Sequence, residues 1–310
     1  MQVGQAPLTS HGHEILKGTG SPLPAPQSFP EPEEVRRLGE LIHENDEEDR
    51  RPWSITWKGV DMIVKGGETV CKEEAELTRL ARESTGLPVP AVFGIKQESQ
   101  ATYIYFEKLP GTRFCESDFL NLPAHIQQAL RRDLEDVLGR LRSLSPPQGL
   151  DMPIGGPGSH PLAAIFADEN VEPPSPLRSP SNLRRFLHKR AQLASPKILR
   201  QYEREIEPAL RREDDTPVVF VHGDLNPSNI LVDVNTGTVT GVVDWARAGW
   251  YPAWVETFVL VNGAVVRTLS WEFRLVAELA HGRKAKPSRR TILYFPGAEW
   301  MVEAGRVWLA

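Results

Sequence analysis

A polar turn enclosed by short apolar runs is the feature that most restricts what this chain can form. Residues 218–244 read VVFVHGDLNPSNILVDVNTGTVTGVVD and contain one histidine, three aspartates and three asparagines. Short apolar runs bounded by turn residues are typical of strands, and Pro227 restricts the backbone between two of them. The pattern predicts a strand that runs into a polar loop, followed by a hairpin with its turn at NTG.

The geometry of that hairpin would bring distant polar residues together. If Thr236 and Gly237 form a two-residue loop, Asn229 lies directly opposite Asp244, about 5 Å away at Cβ. A three-residue loop would make the relation diagonal. Asp224 precedes Asn229 on the same loop, so a carboxylate lies beside a carboxylate–amide pair whose oxygens suit a hard cation. This equipment is typical of phosphoryl transfer, in which one Asp deprotonates a hydroxyl while Asn and a second Asp hold magnesium.

Composition argues against several classes of protein. The chain has 310 residues, of which 40% are hydrophobic and 25% charged, and its length is enough for one sizeable core or two lobes. Its net charge of −5 gives no basic surface for nucleic acid or an anionic membrane. Cys71 and Cys115 are too few for a disulfide framework or a cysteine-built zinc site. We see no apolar stretch as long as a membrane span and no signal peptide, and we predict a cytoplasmic protein without nucleic-acid or membrane partners.

The first half of the chain predicts a small sheet. Residues 1–32 are rich in Pro, Gly and Ser and predict a mobile segment, whereas the apolar spacing in 31–50 predicts a helix. The strands SITWKG and VDMIVKGG follow, then the helix KEEAELTRLARESTG, which Gly86 ends, and the strands LPVPAVFGI and ATYIYFEKLPG. Residues 117–145 and 183–212 then predict helices that lead to the polar motif.

Four motifs resemble one family of enzymes and follow its order along the chain. EAELTRLARESTGLPVP, YIYFEKLPG, HGDLNPSNILVD and DWARAGWYPAWVE resemble segments of the kinase-like phosphotransferases that include aminoglycoside phosphotransferases and choline kinases. The signature of that family is a His-x-Asp-x-x-x-x-Asn loop followed by a later Asp. The resemblance extends over roughly residues 55–258, and the motifs look most similar to the fungal branch of the family.

This resemblance implies an α+β, two-lobed protein-kinase-like fold, with a small antiparallel-sheet N-lobe and a larger, mainly helical C-lobe. The N-lobe and its preceding helix would span residues 33–109 and bind the nucleotide. The C-lobe would span residues 110–310 and carry the catalytic loop, the metal-binding hairpin, the acceptor region and an atypical C-terminal end.

The family pattern also implies roles for matching residues of the C-lobe. Asp224 would be the catalytic base, and Asn229 and Asp244 would be the magnesium ligands. His222 would brace the catalytic loop through hydrogen bonds and take no part in the chemistry. Glu256 has two interpretations: it neutralises a basic residue inside the lobe, or it faces the acceptor, where an acidic group would suit a cationic substrate.

In the N-lobe, the resemblance implies that Lys65, at a strand end, holds the α- and β-phosphates of ATP. Glu74 in the following helix would pair with Lys65. Two other acidic residues of the same helix, Glu73 and Glu76, are alternatives for that pairing.

The implied activity is the magnesium-dependent transfer of the ATP γ-phosphoryl group to a hydroxyl of a small molecule. The backbone of Glu107 and Leu109, in the connection between the lobes, would meet the adenine ring. A protein substrate is disfavoured because no segment ending in Ala-Pro-Glu follows Asp244.

Two departures from the family pattern support an alternative. No glycine-rich phosphate loop precedes Lys65, because SITWKGVDMI offers only Gly59. After Glu256 the sequence is unlike the helices that build an acceptor pocket in the family. The alternative is a catalytically silent, pseudokinase-type binding module. A metal-dependent hydrolase is a further alternative, which fits less well because it gives Lys65 no role.

Overall fold

A computed structural model describes residues 28–42, 51–116, 121–146, 154–155, 177–194, 196–257 and 259. These residues form two lobes connected by the segment 108–111. The smaller lobe is built on an antiparallel sheet and one long helix, and the larger lobe is mainly helical, as the sequence predicts.

The N-lobe sheet has five antiparallel strands in the order β1-β2-β3-β5-β4. They are β1 (Glu40–Leu41), β2 (Arg51–Trp57), β3 (Val60–Gly67), β4 (Val92–Glu98) and β5 (Ala101–Glu107). Lys58 and Gly59 make the two-residue turn between β2 and β3 with φ values of 51° and 80°, which is the backbone that tight hairpins favour. This turn fixes the register that places Lys65 on the third strand.

The two faces of the sheet carry different apolar clusters because side chains alternate along a strand. The outer face packs against α1 (Pro32–Leu38) and contains Trp53, Met62 and Tyr105 among its buried residues. The inner face packs against α2 (Glu73–Thr85) through Ile104 and Phe106. Gly86 ends α2 in the left-handed conformation with φ of 64°, as predicted.

The helix predicted over residues 31–50 is wrong beyond Leu38. Gly39 is extended, and Glu40–Leu41 pair with β2 as a strand. A Cβ atom at Gly39 would lie 2.6 Å from the Val35 carbonyl oxygen, so glycine permits a close approach where the helix stops. The apolar spacing that continues past this point reflects strand pairing, and residues 43–50 lie outside the described part of the chain.

The described end of the segment predicted to be mobile is packed. The Tyr105 hydroxyl donates to the Pro30 carbonyl oxygen at 2.8 Å, and the Phe29 ring lies 5.2 Å from the Tyr105 ring. Packing therefore begins before residue 32. Residues 1–27 of that predicted segment lie outside the described residues.

In its described residues, the C-lobe combines helices with two small sheets. Its helices are α3 (Ala124–Ser143), α4 (Pro180–Ala194), α5 (Pro196–Gln201) and α6 (Glu207–Arg212), with a π-helical turn at Tyr202–Ile206. Its strands are β6 (Thr112–Arg113), β7 (Val218–Val221), β8 (Ile230–Asp233), β9 (Thr238–Val242) and β10 (Gly249–Pro252), which pair as β6-β8-β9 and β10-β7.

The main core extends from the C-lobe into the N-lobe. Leu134, Val137 and Leu141 form the predicted apolar stripe of α3 and are buried. The same cluster includes Leu77 and Ala81 of α2. Helix α2 therefore packs on the sheet of one lobe and on the helices of the other.

None of the described helices combines the length and apolar character that a bilayer crossing requires. The predicted limits of the lobes, 33–109 and 110–310, stay predictions, since residues 260–310 lie outside the described part of the chain.

A substitution at Gly111, in the connection between the lobes, tests how tightly this segment packs on the hairpin β8–β9. The φ of Gly111 is 114°, and a Cβ atom there would lie 3.0 Å from the Val232 carbonyl oxygen and closer still to the Thr240 hydroxyl. We expect Gly111→Ala to lower the free energy of unfolding by about 1–3 kcal/mol, because a side chain is strained at this φ. Urea denaturation followed by tryptophan fluorescence measures the change.

Gly139→Ala is the matched control, since a Cβ atom at this α3 position meets nothing within 4 Å. Alanine is the better helix former, so this variant should gain about 0.5–1 kcal/mol. Equal effects of the two substitutions would contradict the close approach at Gly111.

Candidate active site

Strand β7 leads into a loop that presents the carboxylate of Asp224. The loop closes with a 3₁₀ turn at Pro227–Asn229, whose N-cap residue Asn226 accepts a hydrogen bond from the Ser228 N–H at 2.9 Å. The Asn226 amide also donates to Asp224 Oδ1 at 2.9 Å. The side chains of Asn226 and Asp224 therefore hold each other in place. The polar run predicted from sequence forms one compact loop.

Asn229 is tied to Asp224 from the other side. Its amide nitrogen donates to the Asp224 carbonyl oxygen at 2.8 Å and lies 3.3 Å from Asp224 Oδ2. Because the amide nitrogen is committed to Asp224, the amide oxygen of Asn229 is the atom left to act as a ligand.

The hairpin turn after this loop is longer than predicted. Asp233 pairs with Thr238, so the loop contains four residues, 234–237, and the two-residue loop at Thr236–Gly237 is wrong. The register also shifts between Leu231 and Val232, which is the signature of a β-bulge.

The longer turn changes the relation between the two predicted metal ligands. The Val243 N–H donates to the Asn229 carbonyl oxygen at 2.9 Å, so Val243 lies opposite Asn229 and Asp244 lies one residue further along. The direct pairing of Asn229 with Asp244 is therefore wrong, although both residues lie at the same end of the hairpin.

Asp244 is held through its neighbour. The His222 ring contacts the Val243 carbonyl oxygen through Nε2 at 3.0 Å, and its Nδ1 lies 3.2 Å from the Asp224 N–H. An Nδ1 that accepts leaves Nε2 as the protonated donor. His222 therefore braces the loop as predicted. Asp244 itself has a φ of 66°, an unusual backbone conformation that occurs preferentially at functional sites.

Lys65 brings the two lobes together. Its Nζ atom lies 2.7 Å from Glu74 Oε1 and 2.8 Å from Asp244 Oδ1. The side chains of Lys65 and Glu74 are only 11% and 3% exposed, whereas that of Asp244 is 34% exposed. The structure thus selects Glu74 as the partner of Lys65, and Glu76 points outward as an exposed residue.

Glu256 supports the loop that carries Asp224 through hydrogen bonds to its backbone. Its Oε2 accepts the His222 N–H at 2.7 Å and the Gly223 N–H at 3.3 Å, and its Oε1 accepts the Leu225 N–H at 3.3 Å. Burial raises the pKa of Glu256, against the opposing effect of His222 and of these N–H donors. Burial lowers the pKa of Arg142, and the charge of Glu256 opposes that shift. Glu256 is thus buried, and three backbone N–H groups of the loop occupy its carboxylate. Its two interpretations, as a group that neutralises a basic residue inside the lobe or one that faces the acceptor, stay predictions.

Sequence reasoning missed two residues that hold the hairpin in place. Asp133 of α3 accepts the Val239 N–H at 2.8 Å, and burial raises the pKa of its carboxyl group. The Pro88 carbonyl oxygen accepts the Val242 N–H at 2.9 Å. No local pattern in the sequence marks either residue, because both contacts join segments far apart in the chain.

The predicted hinge residues lie where β5 ends. The Glu107 N–H donates to the Ala91 carbonyl oxygen at 2.8 Å, so its carbonyl is the remaining backbone group for a ligand. Leu109 follows in the connection between the lobes. Its side chain packs close to Gly241: a Cβ atom added at Gly241 would lie 3.1 Å from Leu109 Cδ1.

These features together define a kinase-like phosphotransferase: a lysine–glutamate pair in the small lobe, and an Asp–Asn loop with a later Asp in the large lobe. The sequence model of the phosphotransferase enzyme family (APH) matches residues 42–293. The chain belongs to this family, which confirms the predicted family and the predicted enzyme class, a kinase for small molecules. Its assignment to a fungal branch stays a prediction. No curated protein sequence matches the chain.

Crystal structures of kinases share the fold. The aminoglycoside phosphotransferase APH(4)-Ia has a TM-score of 0.57 at 14% identity, over 80% of this chain and 79% of that chain. A thermostable mutant of that enzyme, in ternary complex with AMP-PNP and hygromycin B, has a TM-score of 0.57 at 14% identity, over 89% and 86%. A putative fructosamine-3-kinase from Haemophilus somnus 129PT has a TM-score of 0.52 at 14% identity, over 87% and 80%. These likenesses confirm the two-lobed kinase-like fold.

Replacing Glu256 by Gln tests its support of the loop. The amide would place N–H donors against backbone N–H donors, so we expect the free energy of unfolding to fall by at least about 2 kcal/mol. Glu135→Gln, at an exposed α3 position 3.5 Å from Arg131, should stay within about 0.5 kcal/mol of the wild type. Equal losses in the two variants would contradict a specific role for Glu256.

The same pair of proteins has an expected pH dependence. Because burial raises the pKa of Glu256 above its ordinary value of 4.5, the folded state binds more protons than the unfolded state as pH rises past that value. The contribution of this group to stability therefore falls with rising pH until the folded pKa is passed. Urea unfolding at a series of pH values measures this effect. The difference in the free energy of unfolding between wild type and Glu256→Gln should decrease as the pH is raised above about 4.5.

Proposed function

We propose that this protein transfers the γ-phosphoryl group of ATP to a hydroxyl of a small molecule, with Mg²⁺, in the cytoplasm. The observation that carries the proposal is the position of Lys65, which is ion-paired with Glu74 of the small lobe and Asp244 of the large lobe. Asp224 and Asn229 lie on the loop that adjoins Asp244.

Lys65 supplies positive charge to the nucleotide phosphates. Its ammonium group is nearly buried and already lies between two carboxylates. Glu74 holds the lysine ammonium group through an ion pair, since a buried carboxylate needs a cationic partner. When a nucleotide binds, its phosphate oxygens would replace the contact of Lys65 with Asp244, and the Asp244 carboxylate would then be available to hold a metal ion.

The ligands of the proposed metal site suit Mg²⁺. Asn229 offers an amide oxygen and Asp244 a carboxylate, and both are hard oxygen donors. No group of three or more His, Cys, Asp or Glu side chains in the described ranges is arranged to hold a metal, so phosphate oxygens and water would complete the coordination. The metal ion, when bound, neutralises charge on the phosphates.

Asp224 acts on the acceptor. Its carboxylate oxygens are oriented by the amides of Asn226 and Asn229, and it takes the proton of the acceptor hydroxyl. The hydroxyl oxygen bonds to the γ-phosphorus as the bond to the bridging oxygen breaks, which leaves ADP and a phosphorylated product. A base held in place contributes typically about 10²–10⁴-fold to such a step.

The acceptor is proposed to be a small molecule that carries a hydroxyl group. One structural neighbour was crystallised with AMP-PNP and hygromycin B, which supports ATP as the donor and a polyhydroxylated acceptor. Glu256 is buried and binds backbone N–H groups of the loop, so these contacts give no support to a cationic acceptor. A screen should therefore include neutral sugars beside aminoglycosides and choline.

The nucleotide site is tested by thermal unfolding of Asp244→Asn with ATP, with and without Mg²⁺. Asparagine is the suitable replacement because it tolerates the positive φ of Asp244. Wild type at a hundred times the dissociation constant of MgATP should gain about 2.7 kcal/mol, and the variant should lose the magnesium-dependent part. Asp233→Asn, which alters an exposed carboxylate in the same hairpin, should behave as wild type.

Turnover is tested with Asp224→Asn in an ADP-release assay over the acceptor panel. We expect kcat to fall by about 10²–10⁴-fold while MgATP still stabilises the variant. Stabilisation of the wild type by MgATP without turnover on any acceptor would favour the silent binding module. Turnover without nucleotide would favour the hydrolase.

A further inference from the structure

The antiparallel ladder between β4 and β5 is altered at the residue where the hinge begins. Residues that face each other in a hydrogen-bonded antiparallel pair exchange two N–H···O=C bonds. The Glu107 N–H makes the first bond to the Ala91 carbonyl oxygen at 2.8 Å. In the described chain the Ala91 N–H donates instead to Oε2 of the Glu107 side chain at 2.9 Å. The carboxylate therefore replaces the carbonyl of its own residue as the acceptor.

Arg82 holds that carboxylate in place. Its Nη1 atom lies 3.1 Å from the same Glu107 Oε2 and also donates to the Val89 carbonyl oxygen. The Glu107 side chain is 15% exposed and that of Arg82 is 35% exposed. Arg82 belongs to the last turn of α2, so the helix that carries Glu74 also fixes the start of the hinge.

We infer that Arg82 and the side chain of Glu107 are positioning residues that release the Glu107 backbone carbonyl from the ladder, so that it accepts a hydrogen bond from the 6-amino group of adenine. The inference rests on the proposed function. Without the carboxylate, Ala91 N–H would bond to that carbonyl and complete the regular pair. By keeping the Glu107 carbonyl free, Arg82 and the Glu107 side chain would favour the binding of ATP over nucleotides whose base has no amino group at this position.

A purely stabilising role explains this geometry less well. A partly exposed ion pair contributes about 0–1 kcal/mol, and the regular backbone bond that it displaces would be of similar value. The carboxylate therefore adds little net stability at this position. Its distinct effect is to replace the Glu107 backbone carbonyl as the acceptor of the Ala91 N–H. This replacement is important at the hinge because the freed carbonyl borders the proposed adenine site.

The experiment measures the dissociation constants of MgATP and MgITP by titration calorimetry for wild type, Glu107→Met and Glu107→Gln. ITP differs by an oxygen in place of the 6-amino group. We expect Glu107→Met to weaken ATP binding by about tenfold, as for the loss of one hydrogen bond, and to change ITP binding by less than about twofold. Glu107→Gln retains an acceptor oxygen for Ala91 and should keep most of the preference for ATP.

Two further variants make the test specific. Arg82→Met should shift the ATP/ITP ratio in the same direction by a smaller factor. Glu98→Gln, which removes the charge of a carboxylate paired with Arg36 at 2.6 Å in the same sheet, should leave the ratio unchanged. An unchanged ratio in Glu107→Met, or a parallel loss of ATP and ITP binding, would overturn the inference and leave the proposed function standing. A wild type that binds neither nucleotide would overturn both.

Discussion

The ammonium group of Lys65 sets the arrangement on which the candidate site depends. A nearly buried cation requires anionic partners, because the desolvation of an unpaired charge costs several kcal/mol. One partner, Glu74, comes from α2, and the other, Asp244, follows the last strand of the hairpin. The requirement therefore couples a strand, a helix and a hairpin from two lobes, and the same three elements carry the groups proposed for nucleotide and metal.

Helix α2 makes that coupling rigid. It packs on the inner face of the small sheet and contributes Leu77 and Ala81 to the core of the larger lobe. The chain after it is held by contacts from the C-lobe: Arg140 donates to the Gly86 carbonyl oxygen at 3.1 Å, and the Val242 N–H donates to the Pro88 carbonyl oxygen at 2.9 Å. A displacement of α2 would disturb the hinge and the hairpin together, so the two halves of the site are positioned by one packing arrangement.

Local patterns in the sequence predicted the four longer strands of the small sheet, α2 and the polar loop, because each follows from spacing or from a turn residue. They did not predict the two-residue strand β1, where a helix was expected. The hairpin register could not be predicted, since a four-residue turn and a bulge set it. The turn packs against α3 at Gly237, and Asp133 of α3 accepts the Val239 N–H. The role of Glu256 was equally out of reach. It binds backbone groups more than thirty residues away, and only the fold brings them together.

The order of the strands also bears on the absence of a glycine-rich loop before Lys65. In protein kinases the glycine-rich loop covers the phosphates and the lysine lies on β3, and here Lys65 lies on β3 after a β2–β3 turn of only two residues. That turn is too short to cover phosphates. The segment before β2, residues 42–50, lies outside the described part of the chain from residue 43 onward. Its sequence, IHENDEEDR, has no glycine and five acidic residues. Because such a composition adds little positive charge, the proposed function relies mainly on Lys65 and a bound metal ion to attract the phosphates, and Lys65 is held for that role by Glu74 and Asp244.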